Sequence, residues 1–375
     1  MKKALCAVWR FIKSEAVLCI AVLLAIISLF FVPPDEEYLG YIDYDTLALL
    51  FALMAVMKGF QSAGLFSYLA GNLLKRANTS RKLTAVLVFL PFFLSMAITN
   101  DVSLITFVPF GLTVLKAAGL EKRAVPVVVL QTLAANLGSM LTPLGNPQNL
   151  YLYNSSGMGF GELVLIMLPY VALSGAGIAG VVLLLKSEPA ECPEIKTELG
   201  GAFSLTWPAV TFAICITALF GVIPKLIVAA AVLVFLLIFD RKTLAKVDYS
   251  LLGTFAALFV FIGNMGRIDV FRDFLSSVIS GNEEIVAVLS SQIISNVPAA
   301  LLLSGFSSAW SALFVGCNLG GLGTLIASMA SLISYKAVAK EYPHLRAKYL
   351  LQFSVYNVIF LAVLFGLCMV LKYCL

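Results

Sequence analysis

Histidine and charge are what this sequence has least of. One histidine, His344, stands in 375 residues, and only 12% of the chain is charged. That excludes a histidine-based metal centre, and no HExxH or GxSxG pattern is present to support hydrolysis. Gly157-Met158-Gly159 lacks the strand-to-helix setting of a nucleotide-binding turn. The cysteines (Cys6, Cys19, Cys192, Cys215, Cys317, Cys368 and Cys374) lie far apart in no CxxC or CxxxC spacing. Neither a zinc site nor a disulfide framework is indicated, and small buried hydrophobes are the plainer reading. The net charge of +5 comes from short Lys/Arg clusters between apolar runs, which makes no basic face for nucleic acid. No cofactor and no metal centre is expected.

What is abundant is apolar surface. With 61% apolar residues and a mean hydropathy of +1.00, a soluble fold would leave large apolar patches in water. The composition predicts an all-α polytopic membrane protein. Lys2, Lys3, Arg10 and Lys13 precede the apolar stretch 15–32, which has no small-x-small cleavage site and ends at Pro33-Pro34 before Asp35-Glu36-Glu37. It reads as an uncleaved first span with a cytoplasmic N-terminus.

Basic clusters then set the topology. A span at 43–60 returns to Lys75, Arg76, Arg81 and Lys82, and Lys116, Lys122 and Arg123 follow soon after. Both flanks of 83–115 are therefore inside, so that segment is a re-entrant helical hairpin with Thr99-Asn100-Asp101 at its tip. A span at 124–143, broken near Gly138, leads through Gly145-Asn146-Pro147-Gln148-Asn149 to a span at 162–185. The acidic segment with Glu188, Glu191, Glu194 and Glu198 reads as a cytoplasmic linker, followed by the pair 205–221 and 223–239. Lys58, Lys225 and Arg267 fall near span ends, where snorkelling to the interface is expected.

The arrangement is then written a second time. Asp43-Tyr44 corresponds to Asp248-Tyr249, the first tip to Ser295-Asn296-Val297 in a hairpin at 285–306, and Asn136-Leu137-Gly138 with Thr142 to Asn318-Leu319-Gly320 with Thr324. Copy one starts outside and copy two inside, so the repeats are expected to be inverted about an axis in the membrane plane. The second broken span, 309–335, ends at Lys336 and Lys340, and a last span, 349–371, carries the C-terminus out. The sum is nine crossings and two hairpins. The expected parts are an N-terminal span (1–40), repeat 1 (41–186), linker (187–204), helix pair (205–247) and repeat 2 (248–375).

A hairpin tip ending in Ser or Thr and Asn before a new helix sets hydroxyl and amide groups beside free N–H groups at a positive dipole end, which suits an anion. The carbonyls left by the break, with Asn oxygens, suit a small cation such as sodium. Capping of the following helix by Thr99 or Asp101 is the plainer alternative, but duplication favours a binding site. Candidate substrate or ion ligands are Thr99, Asn100, Asp101, Asn136, Thr142, Asn146, Ser295, Asn296, Asn318 and Thr324. Gly138, Gly145, Gly320, Gly321 and Gly323 are candidate hinges, with close helix packing as the alternative. Asp101 breaks the symmetry, standing where copy two has Val297, and an ionisable group there costs about 2.5–3.5 kcal/mol on insertion scales. It serves either ion coupling or helix capping, and it repels an anionic substrate unless a cation or proton intervenes. No second acid, base or nucleophile is visible for a catalytic pair, so an enzyme is not expected. A passive channel is disfavoured by the paired tips.

These motifs, Thr99-Asn100-Asp101-Val102 with Pro109, Ala135 to Gly138, Gly145 to Asn149, Ser295 to Pro298 and Asn318 to Gly321, resemble those of the ion transporter superfamily. That group includes arsenite permeases, NhaD-type antiporters, citrate transporters and divalent-anion/sodium symporters, and the likeness is closest to short bacterial inner-membrane transporters of the YbiR type. The resemblance covers about 40–370 and implies a homodimer in which a transport domain (83–160 and 280–371) moves against a scaffold. It also implies that Thr99, Asn100, Ser295 and Asn296 hold substrate and coupling ion. The carboxylate symporters end both tripeptides in Thr, whereas Asp101 and Val297 stand here, which tilts the likeness toward the arsenite and antiporter branches. The expected function is secondary active transport of a small inorganic or organic anion with sodium or protons, with sodium/proton antiport through Asp101 as the alternative.

Overall fold

Every backbone amide at membrane depth must find a partner within the protein, and this chain meets that demand with helices. The computed structural model describes residues 15–190 and 198–374. The basic residues Lys2 to Lys13 and the linker residues Glu191 and Glu194 lie outside them. Among the described residues no strand forms, and one isolated bridge joins Thr79 to Pro189.

The first helices are α1 (Ala16–Ser28), α2 (Tyr44–Ser62), α3 (Leu65–Leu74), α4 (Ser80–Leu94), α5 (Asn100–Ala117), α6 (Ala124–Gly138), α7 (Pro147–Ser156) and α8 (Phe160–Leu184). There follow α9 (Ala202–Leu219), α10 (Lys225–Phe239), α11 (Tyr249–Gly266), α12 (Asp269–Ile279), α13 (Glu283–Ile294), α14 (Asn296–Ser304), α15 (Trp310–Leu319), α16 (Met329–Glu341) and α17 (Arg346–Cys374). The hairpins are thus α4–α5 and α13–α14, and the broken spans are α6–α7 and α15–α16. Asp43 and Asp248 cap α2 and α11 alike, accepting from the N–H of Thr46 (2.9 Å) and of Leu251 (3.0 Å).

Three elements depart from the sequence reading. The chain continues past α2 into α3 across a 53° bend. Gly64 makes that bend at φ +72°, and a Cβ there would stand 2.5 Å from the Glu198 carbonyl oxygen. Helix α7, in place of an extended loop, follows the first break, because Pro147 occupies a first-turn position where its missing N–H costs nothing. Helix α12 is amphipathic and carries Val270 and Phe274 on its open face. Among the described residues five helices qualify as membrane spans by length and composition, or up to six with the bent pair, where nine crossings were expected. The shortfall falls on short helices: α1 has 13 residues, α10 has 15 and α15 has 10.

The axis of the molecule is α6. In its segment, Glu121–Leu141, 89% of the spanning window is buried, against 22% in Pro343–Tyr373. Gln131 on α6 is fully buried and donates to Leu87 O (3.0 Å) on α4 and Phe107 O (3.1 Å) on α5. One amide thereby staples both arms of the first hairpin to the axis. Helices in lipid gain little from apolar burial between them, so close approach matters more. A Cβ on Gly138 would fall 2.0 Å from Phe92 O on α4, and one on Gly320 would fall 2.4 Å from Ser291 Oγ on α13. Both glycines have helical φ, −67° and −60°. Close packing, the alternative to a hinge, is what both positions show in this conformation.

The two contacts differ in what must yield. The Phe92 carbonyl is backbone and stays at 2.0 Å, whereas rotation of the Ser291 hydroxyl leaves its Cβ at 2.7 Å as the nearest obstacle. Gly138→Ala is expected to cost about 1–3 kcal/mol, and Gly320→Ala less, as thermal unfolding of the purified variants would measure. Equal losses would contradict this packing account.

Candidate functional site

The two hairpin tips dock on the breaks of the spans that follow them. Asn100 N–H donates to Gly145 O (2.9 Å), and Asn296 N–H donates to Ala327 O (3.0 Å). Thr142 Oγ1 donates to Met96 O, and Thr324 Oγ1 donates to Gln292 O (3.3 Å). Paired residues of the hairpins differ by 196 in number, and those of the breaks by 182. The offsets also match Ser95 with Ser291 and Gly138 with Gly320, which meet each other in both copies.

The breaks then bind each other reciprocally. Asn136 accepts from Asn100 Nδ2 (3.0 Å) and Ser328 Oγ (3.3 Å), and its own amide reaches Ser331 Oγ (3.4 Å). Its counterpart Asn318 accepts from Asn146 Nδ2 (3.4 Å) and donates to Asn149 Oδ1 (2.7 Å). Ser328 and Ser331 are the counterparts of Asn146 and Asn149 at the same offset of 182. Each span's asparagine therefore bonds side chains at the start of the other span's second helix, as in a self-complementary contact. All seven side chains are buried.

A cavity of about 60 Å³ adjoins this network on one side. Its polar lining is Thr99 and Asp101 at the first tip, Asn146 at the first break, Lys58 on α2 and Asp248 at the head of α11, set among Leu50, Met54, Val102 and Leu144. Thr99 caps α5, accepting from Val102 N–H (3.4 Å). The half-buried Asp101 makes no hydrogen bond or ion pair among the described residues. Of the two roles open for Asp101, the capping role thus belongs to Thr99. Asn146 donates to Ser139 Oγ (2.8 Å), but its Oδ1 is buried without a partner. A carboxylate, a hydroxyl and an unpaired amide oxygen form a hard-oxygen set suited to a small cation, while Lys58 offers the one ammonium on the wall.

The candidate residues divide accordingly. Thr99, Asp101 and Asn146 line the cavity. Asn100, Asn136 and Asn318 form the buried network, and Thr142 and Thr324 tie breaks to hairpin arms, Thr324 from an exposed position. Ser295 and Asn296 are 1% and 6% exposed at the second tip and do not reach the cavity, so the two tips do not enclose one site in this conformation. Of the remaining glycines read as hinges, Gly145 and Gly321 are sites of close approach, and Gly323 alone takes positive φ, +102°. Lys58 and Asp248 were missed as site residues. Leu50, Met54 and Lys58 are spaced four apart and share one helix face, which was the available signal. Gln292 was missed too: its amide holds Gly320 O (3.0 Å), Leu322 O (2.9 Å) and Thr324 N–H (2.8 Å), knotting the second break.

A profile of the citrate transporter family matches residues 4–308. The chain belongs to that family. It is accordingly a multi-pass membrane transporter of the citrate transporter family and not an enzyme. Among relatives, the uncharacterized transporter MJ0456 of Methanocaldococcus jannaschii is 33% identical, over 80% of this chain and 82% of that one. The inner membrane protein YbiR of Escherichia coli is 29% identical, over 87% and 89%. The silicon efflux transporter LSI3 of Oryza sativa subsp. japonica is 35% identical over a shorter stretch, 40% of this chain and 30% of that one. In this citrate transporter family member the family profile ends before the second break, so the reciprocal partner Asn318 lies beyond it.

The tips differ in backbone strain. Ser295 has φ +73° and ψ 154°, a region that suits only glycine, whereas Thr99 has φ −65°. The Ser295 hydroxyl makes only long contacts, 3.4 Å to Ala327 O and 3.5 Å to Asn296 Oδ1. Ser295→Gly is expected to relieve about 1–3 kcal/mol of strain and to raise the thermal midpoint. A lowered midpoint would show that the hydroxyl outweighs the backbone.

Proposed function

We propose that this protein is a secondary active transporter of a small inorganic or organic anion, coupled to sodium or protons and working by alternating access of the elevator type. The observation that carries the reading is the one-sided cavity at the first tip. It sets an unpaired carboxylate and an unpaired amide oxygen for a cation beside a lysine for an anion. A cation on Asp101 would offset its repulsion of an anionic cargo, which makes the two ligands interdependent.

The reciprocal Asn136 and Asn318 contacts support an inverted repeat with a pseudo-two-fold axis in the membrane plane. In this reading residues 83–160 and 280–371 form the transport domain, and α2 and the head of α11 belong to the scaffold. The side-chain ties that would then cross the boundary include Gln61 Nε2 to Thr106 Oγ1 (3.2 Å), Asn154 Nδ2 to Thr46 Oγ1 (3.1 Å), Lys225 Nζ to Asn154 Oδ1 (2.9 Å), Ser276 Oγ to Phe306 O (3.4 Å) and Arg123 Nη2 to Lys186 O. A homodimer in the cytoplasmic membrane, with the N-terminus inside and the C-terminus outside, completes the proposal.

A second reading is sodium/proton antiport with Asp101 as the exchange site. It is favoured by the two carboxylates against one lysine in the cavity lining. The silicon efflux name of one relative adds an uncharged weak acid to the classes worth testing.

Reconstituted protein on a solid-supported membrane would separate these readings. Jumps of arsenite, silicic acid, sulfate, citrate and succinate, with and without sodium and at two pH values, are expected to give current for one anion class. Asn100→Ala and Asp101→Asn are expected to lower that current at least about tenfold, the loss of one buried polar contact or more. Currents to sodium or pH jumps alone, indifferent to every anion, would overturn symport in favour of antiport.

A further inference from the structure

Lys58 sits in the penultimate turn of α2, four residues beyond Met54 and eight beyond Leu50, and all three line the cavity wall opposite the first tip. Its ammonium donates to Gln61 Oε1 (3.3 Å), and Gln61 Nε2 donates onward to Thr106 Oγ1 (3.2 Å) on the helix that begins at Asn100. This relay aims Lys58 at the hairpin, away from the ordinary course of a lysine reaching for the membrane surface. Two carboxylates share the cavity with it. Asp248 is already engaged, accepting from Leu251 N–H (3.0 Å) as the cap of α11. Asp101 accepts nothing from any described residue, and no ion pair within 4.0 Å joins Lys58 to either acid. The remaining basic group near Lys58 is Lys246, which bonds Ser62 Oγ (3.2 Å) from an exposed position. Asp101 is thus the one of these charges with no hydrogen-bond partner among the described residues, and Lys58 has Gln61 alone; both line the cavity among leucine, methionine and valine side chains.

We propose that Lys58 is a specificity-determining residue of this site: the fixed positive wall that compensates Asp101 in this conformation and presents an ammonium to the acceptor end of the cargo. The proposal rests on the transport reading above. Its physical basis is the cost of an isolated charge in low dielectric. Among apolar neighbours, each of the two groups is stabilised by the opposite charge facing it. If α2 stays still while the tip moves, Asp101 loses this compensation on leaving. It can do so only with another cation in place of the ammonium, which makes Lys58 part of the coupling rule as well as of the site. The gap between the two charges leaves room for a ligand that bonds Lys58 through an acceptor and Asp101 through a donor or a bound cation.

A double-mutant cycle read by thermal unfolding of the purified full-length protein tests this without needing transport. Lys58→Gln and Asp101→Asn are each expected to lower the midpoint by about 5 °C or more, and the double variant to recover more than half of that loss. Lys58→Arg should stay near wild type, and Lys58→Gln combined with Asp248→Asn should show additive losses, because Asp248 is held by its cap. Additive losses in the Lys58/Asp101 cycle, recovery through Asp248 instead, or two single variants indistinguishable from wild type would each overturn the proposal. A Lys58→Gln protein too unstable to purify is read the same way: adding Asp101→Asn either restores a purifiable protein, as expected, or refutes the pairing. For whichever jump wild-type protein answers in the current assay, Lys58→Arg should keep the response and Lys58→Gln lose it at least tenfold. Absence of any anion current would defeat the transport reading alone and leave the melting cycle to decide about Lys58.

Discussion

The exchange of asparagines between the two broken spans is the constraint on which the rest of this structure depends. Unwinding a helix at membrane depth exposes amides that lipid cannot satisfy, each at a cost of several kcal/mol. The tip amides of Asn100 and Asn296 close on the break carbonyls of Gly145 and Ala327, Asn149 and Gln292 hold the carbonyls beside them, and the side chains of Asn136 and Asn318 join one break to the other. The backbone of each break is thus met within its own copy, and the exchanged asparagines hold the two copies together. The close contacts at Gly138 and Gly320 bring the hairpin arms within bonding reach of the breaks.

The same exchange separates scaffolding from chemistry within one polar cluster. Residues that look alike in sequence divide by whether their polar atoms are used up. Asn100, Asn136, Asn149 and Asn318 spend theirs on each other and on backbone, while Asp101 and the Oδ1 of Asn146 are left over beside the cavity. Groups without a partner are held in place by groups that have one. Such an arrangement keeps a site rigid without a metal or a disulfide to hold it.

Most helices were legible in the sequence, because charge clusters and duplicated polar motifs interrupt long apolar runs, and helix pairs and helix ends fall where the hairpins and breaks were read. The hairpin read at 83–115 is α4–α5, and that read at 285–306 is α13–α14. The bend at Gly64, helix α7 and the amphipathic α12 were not legible: each depends on a backbone angle, a first-turn proline or a face pattern too short to stand out. At the site, the tripeptides announced the tips, but nothing local tells a structural asparagine from a binding one. That distinction depends on partners about 170–190 residues away. Lys58 was passed over for the converse reason. A lysine near a helix end has an ordinary explanation, and only the position of α2 against the first tip gives it another.

The hairpins are unequal. The returning arm of the first, α5, has 18 residues, and that of the second, α14, has 9. At 1.5 Å per residue these arms are about 27 Å and about 13 Å long. Their tips nonetheless dock on breaks that touch one another, so the returning arm of the second hairpin covers the polar centre with half the helix length of the first. The entering arms are closer, 15 residues in α4 and 12 in α13, so the deficit lies on the returning arm alone and falls on the packing of a few residues there.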